Sequence, residues 1–100
     1  MGAVIGSFAD KGTEDVFDGE SSREARAVCP SSLWAVARRK LTQINRVGEL
    51  ADLAVPPGNH LERLKGDRAG QYSIRINDQY RVCFRWKAGR ADHVEITDYH

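Results

Sequence analysis

The sequence closes on Asp98, Tyr99 and His100, a carboxylate, a phenol and an imidazole in succession. All three can carry a proton, and an imidazole does so near neutral pH. Upstream, Tyr72, Ile74 and Ile76 alternate with polar residues, as do Tyr80, Val82, Phe84 and Trp86. Pairing Ile74 with Val82 and Ile76 with Tyr80, around an Asn77-Asp78-Gln79 connection, sets Arg75 opposite Arg81. Like charges so opposed cost stability, and an anion between them would remove the cost. Splaying into screening water is the plainer alternative. If the alternation of Val94 and Ile96 continues, Tyr99 falls on the Arg81 side, where the cations would depress its pKa. Such a set matches cleavage of a phosphodiester by a ribose 2′-hydroxyl, which needs a base, an acid for the leaving oxygen and cations for the phosphorane charge. By itself a terminal histidine is ordinarily a frayed end, so these residues alone do not define an enzyme.

The elements that must position them read as an α+β domain. Val4, Ile5 and Phe8 suggest a short first strand, and Asp10 is placed to cap a helix that runs through Val16 and Phe17 to Gly19. Residues 19–30 are polar, lack periodicity and carry Ser21 and Ser22, which reads as a mobile loop. Pro30 and the following serines open a long helix with Leu33, Ala37, Leu41, Ile44, Val47 and Ala51 on one stripe, ending near Ala54 before Pro56, Pro57 and Gly58. After it the period changes to two: Tyr72 to Ile76, Tyr80 to Lys87, and Val94 with Ile96 beyond the Ala88-Gly89-Arg90 turn. The expected order is a short strand, two helices and an antiparallel sheet of three or four strands, all one domain over residues 1–100.

Composition narrows the function classes. A net charge of +1 and 41% hydrophobic residues suit one folded core and exclude a wholly disordered chain. No apolar run is long enough to span a bilayer, and residues 1–8 lack a basic start and a cleavage site, so the cytoplasm is expected and no membrane partner. The near-neutral total hides a sorted charge. Between His60 and Arg90 eight bases face three acids, whereas Asp10, Glu14, Asp15, Asp18, Glu20 and Glu24 outweigh Lys11, Arg23 and Arg26 near the start. A local basic segment suits a phosphate-binding face; a solvated sheet face is the bland reading. Cys29 and Cys83 lack CxxC spacing and read as reduced thiols, one in a loop and one in a strand. His60, His93 and His100 share no ligand spacing, so no metal site is expected. Gly66 and Gly70 bracket a turn whose glycines permit positive φ, which a simple β-turn also explains. Trp86 is better explained by core packing than by base stacking.

The segment LKGDRAGQYSIRINDQYRVCFRW (Leu64 to Trp86), with the terminal DYH, resembles the HigB-type toxins of the RelE/ParE superfamily, over essentially residues 4–100. The resemblance implies a toxin of a bacterial type II toxin–antitoxin module that cuts mRNA on the ribosome without metal or cofactor. It implies a HigA-like antitoxin partner with a helix-turn-helix DNA-binding domain, and through it operator DNA. Carried over by motif, Lys65 contacts the scissile phosphate, Arg81 stabilises the transition state, and Asp98, Tyr99 and His100 orient and move protons. Arg68, Arg75 and Arg85 are the expected RNA-binding positions. Some relatives carry a histidine two residues before the LKG where this chain has Glu62; His60 lies two positions earlier, on the same face if that strand is regular. That leaves the identity of the general base open: Glu62 and His60 are candidates beside His100 and Tyr99, and Glu62 pairing with Arg63 or Lys65 on the surface is the plain alternative. Two other functions remain open: a ParE-like toxin that inhibits DNA gyrase without nuclease activity, and a non-catalytic RNA-binding module.

Overall fold

The structure, a computed structural model, describes residues 4–98. Three helices, α1 (Lys11–Asp18), α2 (Arg23–Val28) and α3 (Trp34–Arg46), pack on one face of a four-stranded sheet, β1 (Glu62–Arg63), β2 (Gln71–Arg75), β3 (Arg81–Lys87) and β4 (Arg90–Thr97). The strands lie in sequence order and are antiparallel throughout. This is the expected α+β class, with one helix more than the periodicity indicates.

Local chemistry explains the helix ends. Asp10 accepts a hydrogen bond from the Thr13 amide at 2.6 Å, and Gly19, at φ 79°, closes α1 with its own and the Glu20 amide donating back to Val16 and Asp15. The expected loop over 19–30 is corrected by α2. Its N-cap is Ser22, whose hydroxyl accepts from the Ala25 amide at 2.9 Å and donates to Asp15 at 2.6 Å. The serines that read as loop chemistry are thus a cap, and a six-residue helix with Ala25 as its buried residue is too short to show a period.

α3 buries Ala37, Leu41 and Ile44 as its stripe predicts. It stops at Arg46, ahead of Gly48, and the remainder becomes a 3-10 turn, Leu50–Ala54, in which Leu53 is buried and Ala51 is exposed. The core lies between this helical layer and the inner sheet face, with Ile74, Val82, Phe84, Val94 and Ile96 opposite Leu41 and Ile44. Trp86 packs against its edge, edge-on to Phe84. The expected first strand is reduced to two parallel bridges, Ile5 with Ala91 and Phe8 with Val94, along the outer side of β4. Buried Asn59 ties the chain after α3 to that helix, donating to Gln43 and the Leu53 carbonyl at 3.0 Å each and accepting from Lys40 at 2.5 Å.

Candidate active site

The sheet register sets the site. Ile74 pairs with Val82 and Arg75 with Arg81, as the alternation predicts, and Arg81 in turn pairs with Thr97. Because side chains alternate across a strand, Arg75, Arg81 and Thr97 share the face turned away from the helices. A second row on that face runs Glu62, Ser73, Cys83 and Glu95, and Gln71 and Arg85 belong to a third.

At the end carrying Arg75 and Arg81, the 77–80 turn folds back on the arginines. Arg75 forms an ion pair with Asp78, and an Arg81 Nη1 hydrogen donates to the Asn77 carbonyl, with Tyr80 O at 3.1 Å. Gln79 Nε2 donates to Asp98 Oδ2 at 2.9 Å, which brings the exposed Asp98 carboxylate to the same end. Two guanidinium groups and a carboxylate therefore gather where β2 and β4 end and β3 begins. Tyr99 and His100, expected beside them, lie outside the described residues.

Lys65 is exposed and caps the 3-10 turn Gly66–Arg68 that joins β1 to β2. Gly66 and Gly70 adopt φ 65° and 90°, the left-handed values that permit this turn. Arg68 leaves it to donate to Gln71 at 3.0 Å and Glu95 at 3.2 Å, so its guanidinium has protein partners already. Arg85 is exposed near Gly70. Glu62 is exposed on β1. The placement of His60 on the Glu62 strand face is corrected. His60 has φ 47° and closes the 3-10 turn Pro57–Asn59, so the chain between it and Glu62 is not a regular strand.

Cys83 is fully buried although it points away from the helices, and burial pushes its thiol up to about 11. A thiolate nucleophile is poorly supported there. Cys29 is buried behind α2 and likewise raised to about 11 by desolvation. Among the described residues, no cluster of three or more histidine, cysteine or acidic side chains has the arrangement to hold a metal ion. No helix among them is long and apolar enough to cross a membrane. Reading the sequence alone misses Glu95, although its alternation with Val94 and Ile96 already set it on the polar face.

Helices on one face of a four-stranded antiparallel meander define a two-layer α+β protein. Over 96% of this chain and 94% of the compared one, the fold is similar to a chain of the YoeB-YefM complex from Staphylococcus aureus, with TM-score 0.54 at 19% identity. Residues 6–100 match the family described as RelE-like toxin of type II toxin-antitoxin system HigB, and the chain belongs to that HigB-like toxin family. It is 39% identical over 84 residues to Toxin HigB-1 of Vibrio cholerae, covering 84% of this chain and 85% of that one. An uncharacterized protein of Haemophilus influenzae is 38% identical over 70 residues, 70% of this chain and 69% of its own. A toxin of a type II system has an antitoxin as its partner.

Proposed function

We propose that this toxin is a ribosome-dependent mRNA endonuclease that works without metal in the cytoplasm. The observation that carries the reading is the gathering of Arg75, Arg81 and Asp98 at one end of the open sheet face, immediately before the terminal Tyr99 and His100. A general base removes the proton of a ribose 2′-hydroxyl, and the 2′-oxygen attacks the adjacent phosphorus. The P–O5′ bond breaks and an acid protonates the leaving oxygen, giving a 2′,3′-cyclic phosphate and a 5′-hydroxyl. Arg81 stabilises the charge that grows on the phosphorane, and Lys65 neutralises the scissile phosphate. His100 and Tyr99 move protons while Asp98 orients them. Arg75 and Arg85 guide the RNA, and Arg68, at the rim, is the third basic position of that surface. The position of Glu62 on the sheet makes it the better base candidate, since His60 is turned off the strand. A HigA-like antitoxin with a helix-turn-helix domain neutralises the toxin and carries it to operator DNA.

The test is cleavage mapping on a defined mRNA in a reconstituted translation system, with and without ribosomes, wild type beside His100→Ala. Ribosome-dependent cuts at fixed positions within codons, lost in the folded variant, are expected. The ribosome supplies the substrate alignment, so free RNA should be cut poorly. Intact mRNA under every condition would favour gyrase inhibition instead.

A further inference from the structure

Arg68 and Glu95 belong to opposite sides of the open face. Arg68 lies in the β1–β2 turn and Glu95 on β4, with β2 and β3 between them in the sheet order. Neighbouring strands are about 4.8 Å apart, so the two side chains must reach toward each other across the face, over β2 and β3. They do meet, Nη1 to Oε1 at 3.2 Å, with the side chains 28% and 32% exposed. Under them Cys83 is the cross-strand partner of both Ser73 and Glu95, and both small residues are 0% exposed. Small side chains on an outward sheet face stay accessible unless something covers them. Arg68 and Glu95 are both close enough to Cys83 for their charges to act on its thiol, and Arg68 comes from the turn that Lys65 opens, the Lys65 carbonyl accepting from the Arg68 amide at 3.3 Å. Glu95 stands two residues before Thr97, where β4 ends beside Asp98.

We propose that the Arg68–Glu95 ion pair is a strap holding the Lys65-bearing turn down over the open sheet face, which makes Glu95 a positioning residue for phosphodiester cleavage. The inference rests on the activity proposed above. It deepens that reading by giving Arg68 an orienting task, distinct from direct capture of an RNA phosphate. One ion pair thereby joins the turn that carries Lys65 to the strand that delivers Asp98. Losing the strap changes where the turn rests, and Lys65 with it, without any substitution at Lys65 or Asp98.

Cys83 is a built-in reporter. Glu95→Gln, Arg68→Gln and the double variant are compared in two ways: iodoacetamide alkylation of Cys83, resolved by peptide from Cys29, and kcat and KM for cleavage of ribosome-bound mRNA. Each single change should raise Cys83 alkylation about fivefold and lower kcat by a similar factor at unchanged KM, the scale of one partly exposed ion pair. Cys29, behind α2, should stay protected. The double variant should match Arg68→Gln, because the two side chains act as one unit. The charge-swapped pair, Arg68→Glu with Glu95→Arg, should restore protection of Cys83. A different pattern overturns the proposal: if Arg68 contacts RNA directly, Glu95→Gln frees it, leaves Cys83 protected and lowers KM. Alkylation of both cysteines together reports general loosening and overturns it as well. A wild type that cuts no mRNA while Cys83 responds as described overturns the assigned activity and supports the strap.

Discussion

Two arginines directly opposed on neighbouring strands stay compatible with folding because the turn between them supplies each with an acceptor, Asp78 for Arg75 and backbone carbonyls for Arg81. Asp78 is exposed, so an incoming phosphate can compete with it for Arg75, whereas Asn77 and Tyr80, which hold Arg81, are half-buried. At the same scale, substitution tells the two proposed candidates for the general base apart. Glu62→Gln should lower kcat for mRNA cleavage about 10²-fold, the lower end of what a positioned base contributes. A loss in His60→Ala with Glu62→Gln unaffected would reverse the assignment. Away from the site, Asp15 links folding to pH. A hydrogen bond from the Ser22 hydroxyl, then one from Lys11 together with its charge, holds the carboxyl below its ordinary 3.8. A lowered folded-state pKa stabilises the native protein above the unfolded value, and that contribution is lost as pH falls through the folded value. The Tm advantage of wild type over Asp15→Asn should therefore be full at neutral pH and shrink below 3.8. An advantage independent of pH would show that the carboxylate charge is not its source.

Among the elements, α1 and α2 meet at close range. A β-carbon on buried Gly12 would collide with the Glu24 carbonyl oxygen and lie 2.7 Å from Val28 Cγ1. Backbone cannot yield as a side-chain tip does, so Gly12→Ala should destabilise by about 1–3 kcal/mol. Urea denaturation checks it; an unchanged midpoint would mean that α2 shifts freely. The same joint shows what a sequence reader can see. The β2–β3 register is legible because Ile74, Ile76, Tyr80 and Val82 can be buried together in only one pairing, and a slip by one residue would expose them. α1 is legible from Asp10 and Gly19, whose types match their capping tasks. α2 is not, because its anchors are a glycine on another helix and a single alanine. The start of β4 is hidden for a different reason: His93, at φ 52°, sits in the register shift between β3 and β4, which breaks the alternation before Val94. Of the site, the motif residues Lys65 and Arg81 are readable in the chain. The Arg68–Glu95 bridge joins residues 27 apart and exists only once the sheet has brought the β1–β2 turn and β4 together.

For the molecule as a whole, the sorting of charge along the sequence does not carry over to the two layers. α1 and α2 bring most of the early acids to the helical side, but α3 sets Arg38, Arg39, Lys40 and Arg46 in the same layer and offsets them, while the basic segment forms most of the sheet. The sides are joined at the end of β4, where Thr13, buried on α1, accepts the Ile96 amide at 3.0 Å. Farther along that strand, Ala91 and Val94 exchange backbone hydrogen bonds with residues 4–9, and the His93 amide donates to Ser7. The outer border of β4 is thus spoken for by the chain's own groups, and the opposite border is a two-residue strand made of Glu62 and Arg63, both charged. Unpaired strand borders are where sheet proteins recruit one another into fibrils. This sheet presents almost none, so adding a foreign strand beside β4 requires residues 4–9 to peel away or α1 to melt first.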